Sequence, residues 1–142
     1  MRVVVHRVRR ARLPDRRTLT DALVALVGFT RGDDPDACRR MARRVVRARV
    51  FPSSGSMVGA SALDRQAPLL VVSQMPLAAD MTRGAKPDLS AGAPSQVAAS
   101  LYATFVDELV HAGAAAVEAV PFGSSGEIDL RHWGPFTVVL DG

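Results

Sequence analysis

Apolar and polar positions fall into short blocks along the chain, and most blocks carry a recognisable period. The most apolar, Leu69-Leu70-Val71-Val72, puts four branched aliphatics in a row and predicts a strand buried on both faces. That strand is expected to reach Met75, delivering Ser73 and Gln74 near its exit. Pro76 stops the ladder, because it has no N–H to donate. Val3 to Val8 and Ala22 to Phe29 read as two further strands, with Arg9 to Arg17 a polar turn between them. Asp34-Pro35-Asp36 opens a helix, with an N-cap acid, a first-turn proline and a second acid in the positive first turn. Along it Cys38, Met41, Ala42 and Val45 recur at helical spacing and face the core, while Arg39, Arg43 and Arg47 lie outward with Arg40 and Arg44 beside them.

Arg49-Val50-Phe51 predicts a returning strand, followed by a flexible loop at Pro52 to Ser56. Residues 79–94 are rich in Gly, Pro, Asp and Ser and read as a long ordered loop, a kind more often functional than idle. Pro94-Ser95 starts a second helix whose stripe Ala98, Leu101, Tyr102, Phe105 and Leu109 faces inward, with Gly113 as its C-cap. Three more strands are expected, at Ala115 to Val120, at Glu127 to Arg131 with Ile128 and Leu130 inward, and at Phe136 to Leu140. Strands, helix, strands, helix and strands in that order make a single mixed α/β domain over residues 1–142.

The composition, 48% apolar, suits a globular chain, and no apolar run is long enough to cross a membrane. The charged start Met1-Arg2-Val3-Val4-Val5-His6-Arg7 does not read as a signal peptide. Cys38 is the only cysteine, so no internal disulfide forms and a cytoplasmic setting follows. Net charge is +4, and Lys86 is the only lysine among 18 basic residues. Codon bias in a GC-rich genome explains arginine in place of lysine but not its clustering at Arg7 to Arg17 and at Arg39 to Arg49. A solvated charge face is the commoner meaning of such clusters; a phosphate-rich partner such as RNA is the other.

Several chemistries are absent. His6, His111 and His132 have no ligand spacing and there is no cysteine pair, so no metal is expected. No glycine-rich phosphate loop and no nucleophile elbow occurs, since Ser73 stands between Val72 and Gln74. No cofactor is implied.

Two motifs carry the remaining signal, Leu-Val-Val-Ser-Gln at 70–74 and His132-Trp133-Gly134-Pro135-Phe136-Thr137 before the closing strand. Together they resemble the D-aminoacyl-tRNA deacylase family, whose members usually read Ser-Gln-Phe-Thr-Leu and Asn-x-Gly-Pro-Val-Thr there. The likeness takes in Met1 to Val8, Arg49-Val50-Phe51, Leu77 to Lys86-Pro87, Leu101 to Val106 and the Phe122-Gly123 turn. It implies two sheets with two helices packed on one side, a homodimer, and an arginine-bearing hairpin that looks trimmed here. The implied reaction is hydrolysis of the ester joining an amino acid to the end of tRNA. A neighbouring ribose hydroxyl helps activate water, and backbone N–H groups at Gln74 and Met75 hold the oxyanion while Ser73 shapes the pocket. Gly134-Pro135 corresponds to a cis element that reaches into the partner's site and excludes L-amino acids, and Arg7 to the arginine that braces it.

Departures cluster at both motifs. Met75 and Pro76 stand where the family has an aromatic and threonine, and Pro76 offers no N–H. His132 replaces asparagine and Trp133 is bulky; Lys86-Pro87-Asp88-Leu89 replaces Arg-Pro-Ser-Phe. Trp133 reads equally as a packing, interface or ligand-stacking residue, while His132 and Asp80 read as structural. The candidate catalytic set is therefore Ser73, Gln74, Met75 and Pro76, and the candidate substrate-binding set Arg7, Phe122, His132, Trp133, Gly134 and Pro135. Three functions stay open: a deacylase for D-aminoacyl- or glycyl-tRNA, a repurposed or weakened relative acting on or binding another acyl ester, and a non-catalytic dimeric RNA-binding protein.

Overall fold

The computed structural model describes residues 1–13 and 15–142. In chain order the elements are β1 (Arg2–Arg12), β2 (Thr18–Gly28), α1 (Pro35–Arg47), β3 (Phe51–Ser53), β4 (Ser56–Ala60), α2 (Ala62–Arg65), β5 (Leu69–Ser73), α3 (Ser95–His111), β6 (Val117–Ala119) and β7 (Asp129–Asp141), with a 3₁₀ turn at Met75–Ala78. Five strands form one mixed sheet in the order β6-β5-β2-β1-β7, and β3 pairs with β4 alone. β1 runs antiparallel to β2 and β7, whereas β5 is parallel to both β2 and β6.

Both long helices serve one face of this sheet. Asp34 caps α1 by accepting from Ala37 N–H at 2.7 Å, and Pro35 follows at the first helical position. The stripe Cys38, Met41, Ala42 and Val45 then meets Ala98, Leu101, Tyr102, Phe105 and Leu109 of α3 over Val3, Val5, Leu23, Ala25, Val27, Leu69 and Val71. Each large side chain removed from water here contributes about 1.5–3 kcal/mol. The opposite face holds a smaller cluster around Val8, Val24 and Leu70, edged by half-buried Leu26, Val72, Ile128 and Leu130, and no helix residue belongs to it.

Several expectations change. First, the β1–β2 hairpin runs into the turn expected at Arg9 to Arg17: pairing continues through Arg10↔Thr20, Ala11↔Leu19 and Arg12↔Thr18. The arginines sit at exposed positions around buried Ala11, and Arg9 and Arg10 pair with Asp21 and Asp129, so charge does not break the ladder. Pro14, inside the expected turn, lies outside the described residues. Second, Arg49 and Val50 precede β3 rather than belonging to it, and the expected loop holds a hairpin, followed by α2 with a Ser61–Asp64 capping box. Third, β5 stops at Ser73 instead of Met75, because Gln74 turns out of line (φ −133°, ψ 75°) and Pro76 seeds the 3₁₀ turn. Fourth, the two C-terminal strands are one, since β7 pairs along β1 from Asp129 to Asp141 and register shifts around Val8 absorb the Gly-Pro break. β6 is also shorter than expected.

Candidate active site

The first group of candidates lies where β5 ends. Ser73 pairs across from Val27 of β2, and its hydroxyl accepts a bond from Gly123 N–H at 3.3 Å. Phe122, in the same turn, tilts against Tyr102 with ring centroids 5.7 Å apart. The Tyr102 hydroxyl lies 2.9 Å from Val71 O and 2.7 Å from Val120 O, so α3 fixes both β5 and the start of that turn. Burial pushes the Tyr102 pKa up, so the phenol keeps its donor proton. Ser73 and Gln74 line an open cleft of about 420 Å³ with Leu26, Val72, Ile128 and Leu130 on the helix-free side of the sheet.

Backbone donors are scarcer here than the sequence suggests. Gln74 N–H is already bonded to Val27 O at 2.7 Å, so it is removed from the expected pair of oxyanion donors. Pro76 has no N–H. Met75 N–H meets no acceptor among the described residues and is the one free donor between Gln74 and Pro76. The 3₁₀ turn sits tight on β2, where a Cβ at Gly28 would come within 2.9 Å of Gln74 O. The 79–94 loop packs beside it: Asp80 and Asp88 bridge through their backbones, and Gly92 places a Cβ position 3.9 Å from the Met75 methyl. Asp80 and Asp88 have lowered pKa values because each accepts from a backbone N–H two residues on, which marks them as turn residues.

The second group lies on β7. The Gly134–Pro135 peptide is cis, as expected. Gly134 holds φ +126°, and a Cβ there would meet Arg7 Nη2 at 3.1 Å and Phe136 N at 3.2 Å, so glycine is required on two counts. Arg7 is 1% exposed and donates to Trp133 O (2.8 Å), Val50 O (2.5 Å) and Met57 O (2.7 Å). Burial and neighbouring Arg9 pull its pKa down from a value high enough that it stays charged. Trp133 packs edge-on to Phe51 with centroids 6.0 Å apart and carries the Arg9 guanidinium over its ring at 3.3 Å. His132 is exposed and tilts 5.0 Å from the ring of His6. His6 is 6% exposed, its Nε2 has no partner among the described residues, and burial followed by the charge of His132 lowers its pKa.

Within one chain the groups do not meet. The row through Ser73 crosses β2 at Val27 and β1 at Val3 and reaches β7 at Leu140. Gly134 and Pro135 lie several residues further along β7, so three strand spacings and that offset separate the groups by about 20 Å. Arg7, Trp133, Gly134 and Pro135 form one cluster with His132 at its edge; Ser73, Gln74, Met75 and Phe122 form another. Among the described residues no group of three His, Cys, Asp or Glu side chains is placed to hold a metal ion.

The model of the D-Tyr-tRNA(Tyr) deacylase family matches residues 4–141. The chain belongs to that family. Its relatives include a D-aminoacyl-tRNA deacylase of Mycobacterium tuberculosis, 42% identical over the whole of both chains, and one of Listeria monocytogenes, 35% identical over 87% of this chain and 81% of that one. Among solved structures, a c-Myc DNA unwinding element binding protein superposes at TM-score 0.91 with 27% identity, covering 100% of this chain and 99% of the other. A probable eukaryotic D-amino acid tRNA deacylase shares the fold at TM-score 0.83 and 15% identity, over 98% and 97% of the two chains. In this member of the D-Tyr-tRNA(Tyr) deacylase family, three contributors were missed in the sequence. Gly28 and Arg9 act through contacts with the 3₁₀ turn and Trp133 that only the fold creates. Tyr102, an inward stripe position with a hydroxyl, did carry a signal, because a buried phenol needs an acceptor.

Proposed function

We propose that the chain hydrolyses the ester of D-aminoacyl-tRNA or glycyl-tRNA, as a homodimer in the cytoplasm. Full-length 42% identity to a D-aminoacyl-tRNA deacylase is the observation that carries the reading. Water attacks the ester carbonyl with help from the neighbouring ribose hydroxyl, as the family resemblance implies, and negative charge develops on the carbonyl oxygen. In this reading Met75 N–H, the unpaired donor next along the chain from the cleft residues Ser73 and Gln74, bonds that oxygen; the C–O bond to ribose then breaks, the ribose oxygen takes a proton, and free amino acid leaves. Arg7 holds Trp133-Gly134-Pro135 in one conformation, and the separation of about 20 Å supports a site completed by Gly134-Pro135 of a second copy. There the loop fills the space an L side chain would need.

A second reading is favoured by one specific observation: with Gln74 N–H bonded to Val27 and no N–H at Pro76, one free donor is left where two were expected. In that case the chain binds aminoacyl-tRNA or another acyl ester and turns it over slowly. Turnover of matched D-, L- and glycyl-tRNA separates the two. Fast D or glycyl hydrolysis with L spared supports the deacylase, whereas tight binding without turnover supports the weakened relative. A particle that sediments near 15.1 kDa would sink the shared site.

A further inference from the structure

The outer side of α1 is an arginine face. Arg40, Arg43, Arg44 and Arg47 are all exposed and fall at i, i+3, i+4 and i+7, a single stripe about 10 Å long. Arg39, beside them, is neutralised by Asp36 and Glu108, and Arg44 donates to the Asp141 carbonyl. Arg40, Arg43 and Arg47 have no acidic partner among the described residues. Like charges one turn apart repel, so the isolated fold gains nothing from this stripe, and an anionic partner relieves it.

The rest of α1 narrows the class of partner. Its whole apolar side, Cys38, Met41, Ala42, Val45 and Val46, is spent in the core, which leaves no hydrophobic wedge for a membrane. The basic track also leads somewhere. From Arg47 the chain passes Arg49, which donates to Gly59 O at 3.3 Å, into Phe51. Arg65 lies over Phe51 and Trp133 at 5.7 and 5.5 Å, and Arg9 covers Trp133, the neighbour of Gly134-Pro135. Guanidinium forks match phosphate oxygens in pairs.

We infer that the outward face of α1 docks the phosphate backbone of the tRNA arm whose 3′ end enters the site, an assignment that rests on the deacylase reading. The test is equilibrium binding of uncharged tRNA to the full chain across a salt series, comparing wild type, R40A/R43A/R47A and R40K/R43K/R47K. Each phosphate contact contributes about 0.7–0.9 to the slope of log affinity against log salt, so the alanine variant loses about two to three from that slope. At about 0.1 M salt its affinity falls about a hundredfold, and the lysine variant keeps most of both. Unchanged slope and affinity in the alanine variant overturn the inference, as does failure of wild type to bind tRNA. Loss of polyglutamate binding with tRNA binding intact would assign the face to an acidic protein and also overturn it. These measurements involve no hydrolysis, so a chain that binds in this way and cleaves no aminoacyl ester sinks the deacylase reading alone.

Discussion

At the β7 cluster, a buried guanidinium satisfies three carbonyls and leaves Gly134 no room for a side chain. At the end of β5, the candidate groups are half-exposed, Ser73 is held by one long bond from a turn, and a single N–H is free. The contrast fits the two tasks proposed for these groups. Rejecting a side chain by shape, as proposed for Gly134-Pro135, needs a wall that cannot yield, and here the wall rests on a buried charge tied to three carbonyls. Stabilising an oxyanion needs a donor that has not been consumed by the fold.

The largest effect is expected at the rigid end. Arg7→Met strips three carbonyls of a charged donor, and unfolding in urea should show a loss of about 3–5 kcal/mol. A loss under about 1 kcal/mol would mean that water replaces those bonds and the wall is softer than drawn. At the sparse end, Met75→Pro removes the free donor at a position where a turn tolerates proline. It should lower the hydrolysis rate about a hundred- to thousand-fold, with only a modest loss of stability from the half-buried Met75 side chain packed on the core. Its counterpart, Pro76→Thr, adds a donor and should raise the rate; no response to either variant would move the oxyanion site elsewhere.

Gly134→Ala forces a side chain into φ +126° against Arg7 and should cost about 1–3 kcal/mol in the same melts. Stability equal to wild type would show that Arg7 gives way. The smallest effect concerns His6. Burial and His132 hold its folded pKa below the ordinary 6.5, so in the window beneath 6.5 the unfolded chain binds more protons than the folded one. Stability is therefore level above about pH 7 and falls as pH drops through the window. His6→Gln should flatten that dependence, and an unaltered slope would assign it to other groups.

Much of this was legible from the order of residues. The cap at Asp34-Pro35, the inward stripes of both long helices and the apolar run of β5 are local signals, and they place the sheet and its helical cover. Gly134-Pro135 and Arg7 were legible through the family motif. What escaped depends on partners distant in sequence. Whether Gln74 N–H is free is decided by Val27 of a parallel neighbour, 47 positions away. The continuity of β7 depends on bulges in β1 that accommodate the Gly-Pro break, and the full hairpin on carboxylates opposite its arginines. β4 and α2 are too short for periodicity to register, although Ser61 and Asp64 carried the capping signature.

β7 is also one of the two edge strands of the five-stranded sheet, and at 13 residues it is the longest strand described. A long bare edge invites other chains to add strands and build fibrils. Pro135, near its middle, has no N–H to offer such a strand, and Gly134 takes up a dihedral that a flat strand cannot follow. The residues proposed as the pocket wall thereby also act as gatekeepers, breaking a continuous edge into two shorter segments.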